Sequence, residues 1–254
     1  MAIIVRVKPS NKWVRRVRVL RHKHAKRLRS SGIQNLAAPS AVFIHVPKVA
    51  GKALKTWIEA NVALIRFRTP SVPNELPSEP YVLYTGHLDT DYLVDVGVYS
   101  AEALEEAFSF GFVRNPYDRI HSLFRHNLRN REIPEMTFSE YLTYLVDLKP
   151  GAYPGLGRPS RFRGSPMTTW LQPLTWSGPK RLFRYEEYET AILEIGSHFG
   201  LKGAPPVTDQ GEREASVSIT KKDQEKILEL FQEDFVAFGY SDEPPERFEL
   251  RGGG

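Results

Sequence analysis

Three short, mainly apolar runs lie along the chain, separated by segments in which apolar residues recur at helical spacing. These runs, each predicted to be a strand of a parallel sheet, are residues 41–46, 81–84 and 108–113, and residues 181–185 are predicted to be a fourth strand. The helical segments cover 52–62, 101–107, 116–130, 137–148, 186–199 and 220–238. Strands that alternate with helices pair through right-handed crossovers, so the pattern predicts an α/β fold with a central parallel sheet flanked by helices.

Polar residues mark the ends of several predicted helices, and Gly and Pro mark the loops between them. The helix signals are an N-cap at Ser100, a capping box formed by Thr137 and Glu140, a cap formed by Thr220 with Asp223, and a stop at Gly239. Residues 69–80 contain four prolines and are predicted to be a loop, as are residues 149–166 and 202–218.

The N-terminal residues differ sharply in charge from the rest of the chain. The 254 residues include 35 Lys and Arg and 30 Asp and Glu, which gives a net charge of +5. Residues 1–40 hold 11 of the basic residues and no acidic one, which leaves 24 basic and 30 acidic residues in the remainder. We therefore divide the chain into a basic N-terminal arm at 1–40, a main domain at 41–240 and a C-terminal tail at 241–254.

The arm has several interpretations. It could contact an acidic polymer or an anionic membrane surface, or act as an Arg-rich organellar transit peptide. A solvated arm that packs on the domain explains the charge equally well, and nucleic-acid binding has the least support. The chain has no cysteine, and no apolar run approaches the roughly 20 residues of a membrane span. The start also lacks a signal-peptide core, so we expect a soluble, cytoplasmic protein.

Two of the predicted strands end in basic turns that open a helix. Residues 41–57 read AVFIHVPKVAGKALKTW, with Lys48 and Gly51 in the turn. Residues 110–124 read FGFVRNPYDRIHSLF, with Arg114 in the turn. In such a strand–turn–helix unit, backbone N–H groups and a helix N-terminus face an anion. Two such turns on one sheet predict a ligand with two separate phosphate-like ends.

These two motifs resemble those of the carbohydrate (family 2) sulfotransferases. HVPKVAGKAL at 45–54 is similar to the 5′-phosphosulfate loop of that family, and FVRNPYDRIHSLF at 112–124 is similar to its 3′-phosphate motif. A weaker likeness continues through 183–199 and 221–240. The resemblance implies a P-loop NTPase-like three-layer fold. It also implies 3′-phosphoadenosine 5′-phosphosulfate (PAPS) as the donor, which leaves as 3′-phosphoadenosine 5′-phosphate (PAP).

The resemblance assigns roles to residues of both motifs. Lys48 would stabilise the negative charge that grows on the leaving nucleotide, a contact stronger in the transition state than in the ground state. Arg114 and Ser122 would hold the 3′-phosphate. The donor-binding residues expected from the resemblance are Lys48, Val49, Ala50, Gly51, Lys52, Ala53, Arg114, Ser122 and Arg184. Residues 117–119 are expected to fix the second turn and cap its helix, and Lys221 and Lys222 either close over the nucleotide or simply begin a helix.

The first loop departs from the family pattern at its hydroxyl positions. Val49 replaces a threonine, and Lys52-Ala53 replaces a Thr-Ser or Thr-Asn pair, so two hydroxyl donors to the 5′-phosphate are absent. Backbone N–H groups of 50–53 remain, and Lys52 adds a charge. The P-loop that binds nucleotide triphosphates would need a glycine at the position of Val46 and a hydroxyl at the position of Ala53. The chain lacks both, so we expect neither this P-loop nor a metal site.

His87 is the candidate base for the acceptor hydroxyl. It follows a predicted strand in the segment GHLD, which resembles the family's catalytic histidine segment, and it would project at the carboxyl edge of the sheet. An unperturbed imidazole titrates near neutral pH, which suits proton removal. Asp89 or Asp91 could orient the ring or replace it, whereas His45 is expected to pack and hydrogen-bond. The acceptor-binding residues expected from related enzymes are His87, Arg158, Arg161 and Arg163, and the three arginines favour an anionic acceptor.

Three functional hypotheses follow. The first is a metal-free, PAPS-dependent sulfotransferase that acts on a hydroxyl of a carbohydrate or glycoconjugate. The second is a non-catalytic protein on the same fold that binds the nucleotide or an anionic glycan. The third is a small-molecule kinase, which would require ATP and magnesium.

Overall fold

Five parallel strands form one central sheet in the computed structural model, which describes residues 38–49, 51–66, 80–86, 90–95, 97–147, 164–202 and 216–251. The strands are β1 (Ala41–Ile44), β2 (Ala63–Arg66), β3 (Tyr81–Tyr84), β4 (Phe108–Val113) and β5 (Arg181–Arg184). Their order across the sheet is β2-β3-β1-β4-β5, and every neighbouring pair is parallel. The predicted α/β fold with a central parallel sheet is confirmed.

Eight α-helices and a second, small sheet complete the described part of the chain. The helices are α1 (Gly51–Glu59), α2 (Thr90–Asp95), α3 (Ala101–Glu106), α4 (Pro116–Arg129), α5 (Phe138–Asp147), α6 (Thr168–Leu171), α7 (Tyr188–Phe199) and α8 (Lys221–Phe238). A 3₁₀ turn at Tyr185–Glu187 precedes α7. The second sheet pairs β6 (Val217–Thr220) in parallel with β7 (Phe248–Arg251). None of the helices within the described ranges is long and apolar enough to cross a membrane.

The helices cover both faces of the central sheet. The connections from β1 to β2 and from β4 to β5 run in opposite directions, and right-handed crossovers in opposite directions place their helices on opposite faces. On one face α1 meets α7 so closely that a Cβ atom on Gly196 would lie 2.7 Å from Cη2 of Trp57. On the other face α8 packs against α4, α5 and α6. This arrangement is the expected three-layer fold.

The central position of β1 explains its composition. All four of its side chains are buried, because β3 and β4 flank it in the sheet and helices cover it above and below. Phe43 of β1 stacks on Phe110 of β4 with ring centroids 4.9 Å apart. A separate apolar cluster joins α4, α5 and α8 around Tyr141, Ile227 and Phe231. A strand buried on both faces reads as a continuous apolar run, which is why the pattern identified it.

The structure contains elements that the hydrophobic pattern did not indicate. They are β2, α2, α6 and the β6–β7 pair, and β7 lies inside the segment predicted to be a C-terminal tail. The helix predicted at 52–62 ends at Glu59, and β2 begins four residues later. β6 and β7 alternate apolar and polar residues over only four positions, which is too short for the period to be recognised, and β2 directly follows the segment predicted to be helical. Most of the predicted basic arm, residues 1–37, lies outside the described residues.

The predicted helix caps are present. Ser100 Oγ accepts a hydrogen bond of 3.1 Å from Ala103 N–H at the start of α3. Thr137 and Glu140 form the reciprocal pair of a capping box at α5, with bonds of 2.7 and 3.2 Å. These side chains satisfy N–H groups that have no partner inside the helix. The starts of α3 and α5 were therefore correctly predicted from polar residues alone.

The cap of α8 gives a testable prediction for stability. Thr220 Oγ1 accepts from Asp223 N–H at 3.1 Å, and Asp223 Oδ2 accepts from Thr220 N–H at 3.0 Å. We expect Thr220→Ala to lower the free energy of unfolding by about 1 kcal/mol, because Asp223 N–H loses its acceptor. Urea denaturation measures the effect, and Thr220→Ser is the control that keeps the hydroxyl. Equal stability of the two variants would contradict the role of the cap.

Candidate active site

The turns after β1 and β4 lie where the direction of the sheet connections changes. β1 and β4 are neighbours, yet β1 connects towards β2 at one edge and β4 connects towards β5 at the other. In open parallel sheets, ligands bind outside the carboxyl ends of the strands at such a switch point. The prediction that both basic turns share one sheet is confirmed.

The two turns are in direct contact. Arg114 Nη1 donates a hydrogen bond of 3.2 Å to the carbonyl oxygen of Lys48, across 66 positions of sequence. Arg114 is 7% exposed, and its guanidinium carbon lies 4.4 Å from the ring centroid of Tyr185. Lys48 is half-buried. The turns that carry Lys48 and Arg114 therefore meet at the carboxyl end of the sheet.

The backbone of Lys48 has an unusual conformation. Its φ angle is +69°, in the left-handed region that non-glycine residues rarely adopt. Such a conformation costs on the order of 1–3 kcal/mol and persists only where the surroundings impose it. Here two arginines of the second motif bind consecutive carbonyl groups, since Arg119 Nε donates to Pro47 O at 3.1 Å and Arg114 donates to Lys48 O. The second motif thus holds the first turn in its strained shape.

His45 fills the space beside the start of α1. A Cβ atom on Gly51 would lie 1.7 Å from His45 Nε2, so the imidazole occupies the place of a side chain at residue 51. The ring bonds through Nδ1 to the hydroxyl of Tyr84, and His45 N–H donates to Thr85 Oγ1 at 3.1 Å. His45 is 8% exposed. It packs and hydrogen-bonds, as the sequence indicated.

The substituted hydroxyl positions of the first loop have different environments. Val49 is 1% exposed and belongs to the core, so only its backbone N–H can serve an anion. Ala53 lies half-buried in the first turn of α1 and has no donor of its own. The backbone of Lys52 is helical, whereas its side chain and the whole of Ala50 lie outside the described residues. The candidate anion site of this loop is therefore built from backbone N–H groups at the start of α1.

A buried ion pair connects α4 to α8. Arg119 Nη1 lies 3.9 Å from Asp234 Oδ2, and the two side chains are 2% and 0% exposed. Burial lowers the pKa of Arg119 to about 10 and raises that of Asp234 to about 6. Asp234 also accepts from the backbone N–H groups of Met167 and Thr168, at 2.8 and 3.0 Å. The sequence predicts that Arg119 helps to fix the turn, but it did not lead us to predict a role for Asp234.

The remaining residues of the second motif shape the start of α4. Asn115 Oδ1, rather than a residue of 117–119, caps the helix by accepting from Tyr117 N–H at 3.0 Å. Glu186 Oε1 accepts from Asn115 N–H at 2.7 Å, which joins the turn to the chain after β5. Asp118 pairs with Arg247. Ser122 lies buried on α4, and its contact with a 3′-phosphate stays a prediction.

Arg184 and Lys221 have partners of their own. Arg184 Nη2 donates to Phe238 O at 2.6 Å, and its guanidinium carbon lies 4.5 Å from the ring centroid of Tyr240. The guanidinium therefore caps the C-terminal end of α8, and its role in donor binding stays a prediction. Lys221 begins α8, and its ammonium donates a hydrogen bond of 2.9 Å to Gln224 Oε1. The closure of Lys221 over the nucleotide stays a prediction.

Several predicted residues of the acceptor side lie outside the described residues. They are His87, Asp89, Arg158, Arg161 and Arg163. Asp91 is described, and its carboxylate accepts from Leu174 N–H, Thr175 N–H and Thr175 Oγ1 at 2.7–3.0 Å. These donors engage Asp91 as a clamp between α2 and the chain before β5, which disfavours its use as the base. Within the described ranges, no group of three or more His, Asp or Glu side chains is placed to hold a metal ion.

A family model of known proteins matches part of the chain. Residues 38–160, which include both motifs, match the model of the sulfotransferase family. The resemblance found in the sequence is thereby confirmed over these residues, and the match supports sulfuryl transfer in general. Among solved structures, a sulfotransferase from Alicyclobacillus acidocaldarius is similar, with 14% sequence identity and a TM-score of 0.45 over 80% of this chain and 94% of that chain. Comparison with curated proteins finds no match.

The contact between His45 and residue 51 predicts a specific steric effect. We expect Gly51→Ala to lower the free energy of unfolding by about 1–3 kcal/mol, because the new methyl group and the imidazole cannot occupy the same space. In a double-mutant cycle, Gly51→Ala should cost much less stability in the His45→Ala background, because the imidazole is then absent. Denaturant melts of the four proteins test the coupling. Gly51→Ala with the stability of the unmutated protein would contradict the observed packing.

The environment of His121 predicts a pH dependence of stability. Burial, followed by the nearby Arg247 and Arg125, lowers the pKa of His121 to about 4. The imidazole of His121 takes up a proton near pH 6.5 in the unfolded chain but only near pH 4 in the folded chain. The free energy of unfolding should therefore fall as the pH drops between these values. The His121→Gln variant should lose this component, which is below about 3 kcal/mol. If the free energy of unfolding changes with pH in the same way in the unmutated protein and in His121→Gln, His121 does not contribute to this pH dependence.

Proposed function

We propose that this protein is a PAPS-dependent sulfotransferase that transfers a sulfuryl group to a hydroxyl of a carbohydrate or glycoconjugate. The observation that carries the proposal is the hydrogen bond from Arg114 to the carbonyl of Lys48. It joins the two turns that would bind the 5′-phosphosulfate and the 3′-phosphate, at the switch point of the sheet. A donor with phosphate groups at both ends of a nucleoside fits two adjacent cationic turns.

The first turn would bind the 5′ end of the donor. Backbone N–H groups of Val49 and of residues 51–53 at the N-terminus of α1 would provide the anion site, because Val49 and Ala53 supply no hydroxyl. The absence of an acidic side chain from the first turn of α1 favours an anion there. Lys52 adds positive charge to the same turn. The ammonium of Lys48 would lie against the bridging oxygen on which charge develops during transfer.

The second turn would bind the 3′-phosphate. Arg114 presents a guanidinium whose position is set by the ring of Tyr185 and the carbonyl of Lys48. A fixed guanidinium suits bidentate binding of a phosphate, and Ser122 would add a hydroxyl from the following helix. Arg184 would shape the donor site from the end of β5.

The acceptor side of the proposal uses His87 and the arginines of the loop at 149–166. His87 would remove the proton of the acceptor hydroxyl as that hydroxyl attacks the sulfuryl group. Arg158, Arg161 and Arg163 would bind anionic groups of the acceptor, which favours an acidic glycan. Catalysis would then consist of positioning and electrostatic stabilisation by this chain's own residues.

Transfer of labelled sulfate from PAPS to a panel of carbohydrate acceptors tests the function. We expect Lys48→Ala and Lys48→Gly both to lower the turnover about 100-fold or more, because both remove the ammonium. Glycine adopts the φ angle of +69° without strain, so Lys48→Gly should also be the more stable of the two. Lys180→Ala, at the amino end of β5, is the matched control and should retain activity. If Lys48→Ala turns over as fast as the unmutated protein, the proposed role of Lys48 in transfer is wrong.

Binding measurements separate the proposed enzyme from its alternatives. The His87→Ala variant should bind PAP in calorimetry with unchanged affinity and lose transfer, as expected for a base that does not hold the donor. PAP binding by the unmutated protein without transfer to any acceptor would instead indicate a non-catalytic binder. A rise in melting temperature with ATP and magnesium, but not with PAP, would indicate a kinase.

A further inference from the structure

We propose that Asp234, which lies on α8 outside both donor motifs, is a positioning residue that holds the two donor-binding turns in register. Its effect on donor affinity rests on the function proposed above. Asp234 is fully buried, and two chains of contacts lead from its carboxylate, one to each turn. A change at this one residue should therefore alter both turns together.

The first chain of contacts leads to the turn after β1. Asp234 pairs with Arg119 at 3.9 Å, and Arg119 Nε donates to Pro47 O at 3.1 Å. The guanidinium also lies 5.7 Å from the ring centroid of Trp170 and 5.8 Å from that of Phe231. The buried anion compensates the buried cation, and the two rings limit its movement. Arg119 is thus placed to hold the carbonyl that precedes the strained Lys48.

The second chain of contacts leads to the turn after β4. Asp234 accepts from the N–H groups of Met167 and Thr168, which fixes the start of α6. Met167 is fully buried, and its sulfur accepts from Arg114 N–H at 3.4 Å. The backbone of Arg114 therefore rests on a segment whose position Asp234 sets. Arg114 in turn binds the carbonyl of Lys48, which closes the network.

A carboxylate is specifically suited to this position. Asp234 uses one oxygen for Thr168 N–H and the other for Met167 N–H and Arg119. The Asp234→Asn variant keeps the shape but replaces one oxygen with an NH₂ group, which cannot accept a hydrogen bond. It also removes the charge opposite Arg119. Both chains of contacts would loosen without the removal of any side-chain volume.

Asp223, at the other end of α8, provides a matched control. It is 3% exposed, accepts from Thr220 N–H and Ser139 Oγ, and lies 3.6 Å from the ammonium of Lys226. Asp223→Asn is therefore the same chemical change at a similarly buried, hydrogen-bonded and charge-paired site. None of its partners named here belongs to either donor turn. It reports the effect of destabilising the start of α8 and its contact with α5.

Calorimetric titration of the full-length proteins with PAP tests the effect on the site. We expect Asp234→Asn to weaken PAP binding by about tenfold or more, through misplacement of groups on both turns. Asp223→Asn, measured at a temperature where circular dichroism shows both variants folded, should stay within about twofold of the unmutated protein. Equal affinities of the two variants would overturn the proposal. Failure of the unmutated protein to bind PAP would refute the proposed function instead.

Amide hydrogen exchange tests the positioning role without any nucleotide. Asp234→Asn should speed exchange in peptides that cover 45–52 and 112–116, relative to Asp223→Asn of comparable global stability. The Asp223→Asn variant should change exchange mainly at the start of α8 and in α5. Unchanged exchange at both turns in Asp234→Asn would overturn the positioning role, whether or not PAP binds.

Discussion

The candidate site depends on two arginines that bind two consecutive carbonyl groups. Arg119 holds Pro47 O and Arg114 holds Lys48 O, so the second motif fixes the backbone of the first. These hydrogen bonds come from charged donors that are almost completely buried, where such bonds are strong and costly to lose. They explain how Lys48 remains in a left-handed conformation that would otherwise be unfavourable.

The topology of the sheet makes this contact possible. β1 and β4 are neighbours whose connections leave in opposite directions, which keeps the space beyond their carboxyl ends free of crossing chain. Helix α8 then packs behind α4 and supplies Asp234 as the partner of Arg119. The C-terminal part of the chain, which lies outside the family match at 38–160, thereby contributes directly to the geometry of the motifs inside it.

The sequence predicted the features that depend on local pattern. Strand 81–84 and strand 108–113 have the predicted bounds, because each is a short and mainly apolar run. Ser100 and Thr137 were identifiable as caps, because capping depends on residues three positions apart. Both basic turns were also located, since a basic turn between a strand and a helix is itself a local signal.

Features that depend on long-range pairing were not predictable in the same way. β6 and β7 are four-residue strands that pair with each other across a long separation in sequence. Arg184 is found to cap α8, which requires knowledge of where the end of α8 lies. Asp234 did leave a signal, because it interrupts the apolar stripe formed by Ile227, Phe231 and Phe238 on the predicted helix. A charged residue in such a stripe indicates a buried partner, but only the fold identifies that partner as Arg119.

We propose that the turns after β1 and β4 form a single site for a nucleotide with phosphates at both ends. A crystal structure of the protein soaked with PAP tests it most directly. The predicted result is a 5′-phosphate within hydrogen-bonding distance of the N–H groups at the start of α1 and of Lys48, with the 3′-phosphate on Arg114. PAP bound away from the β1–β4 crevice, or bound there without contact to Arg114, would contradict the claim.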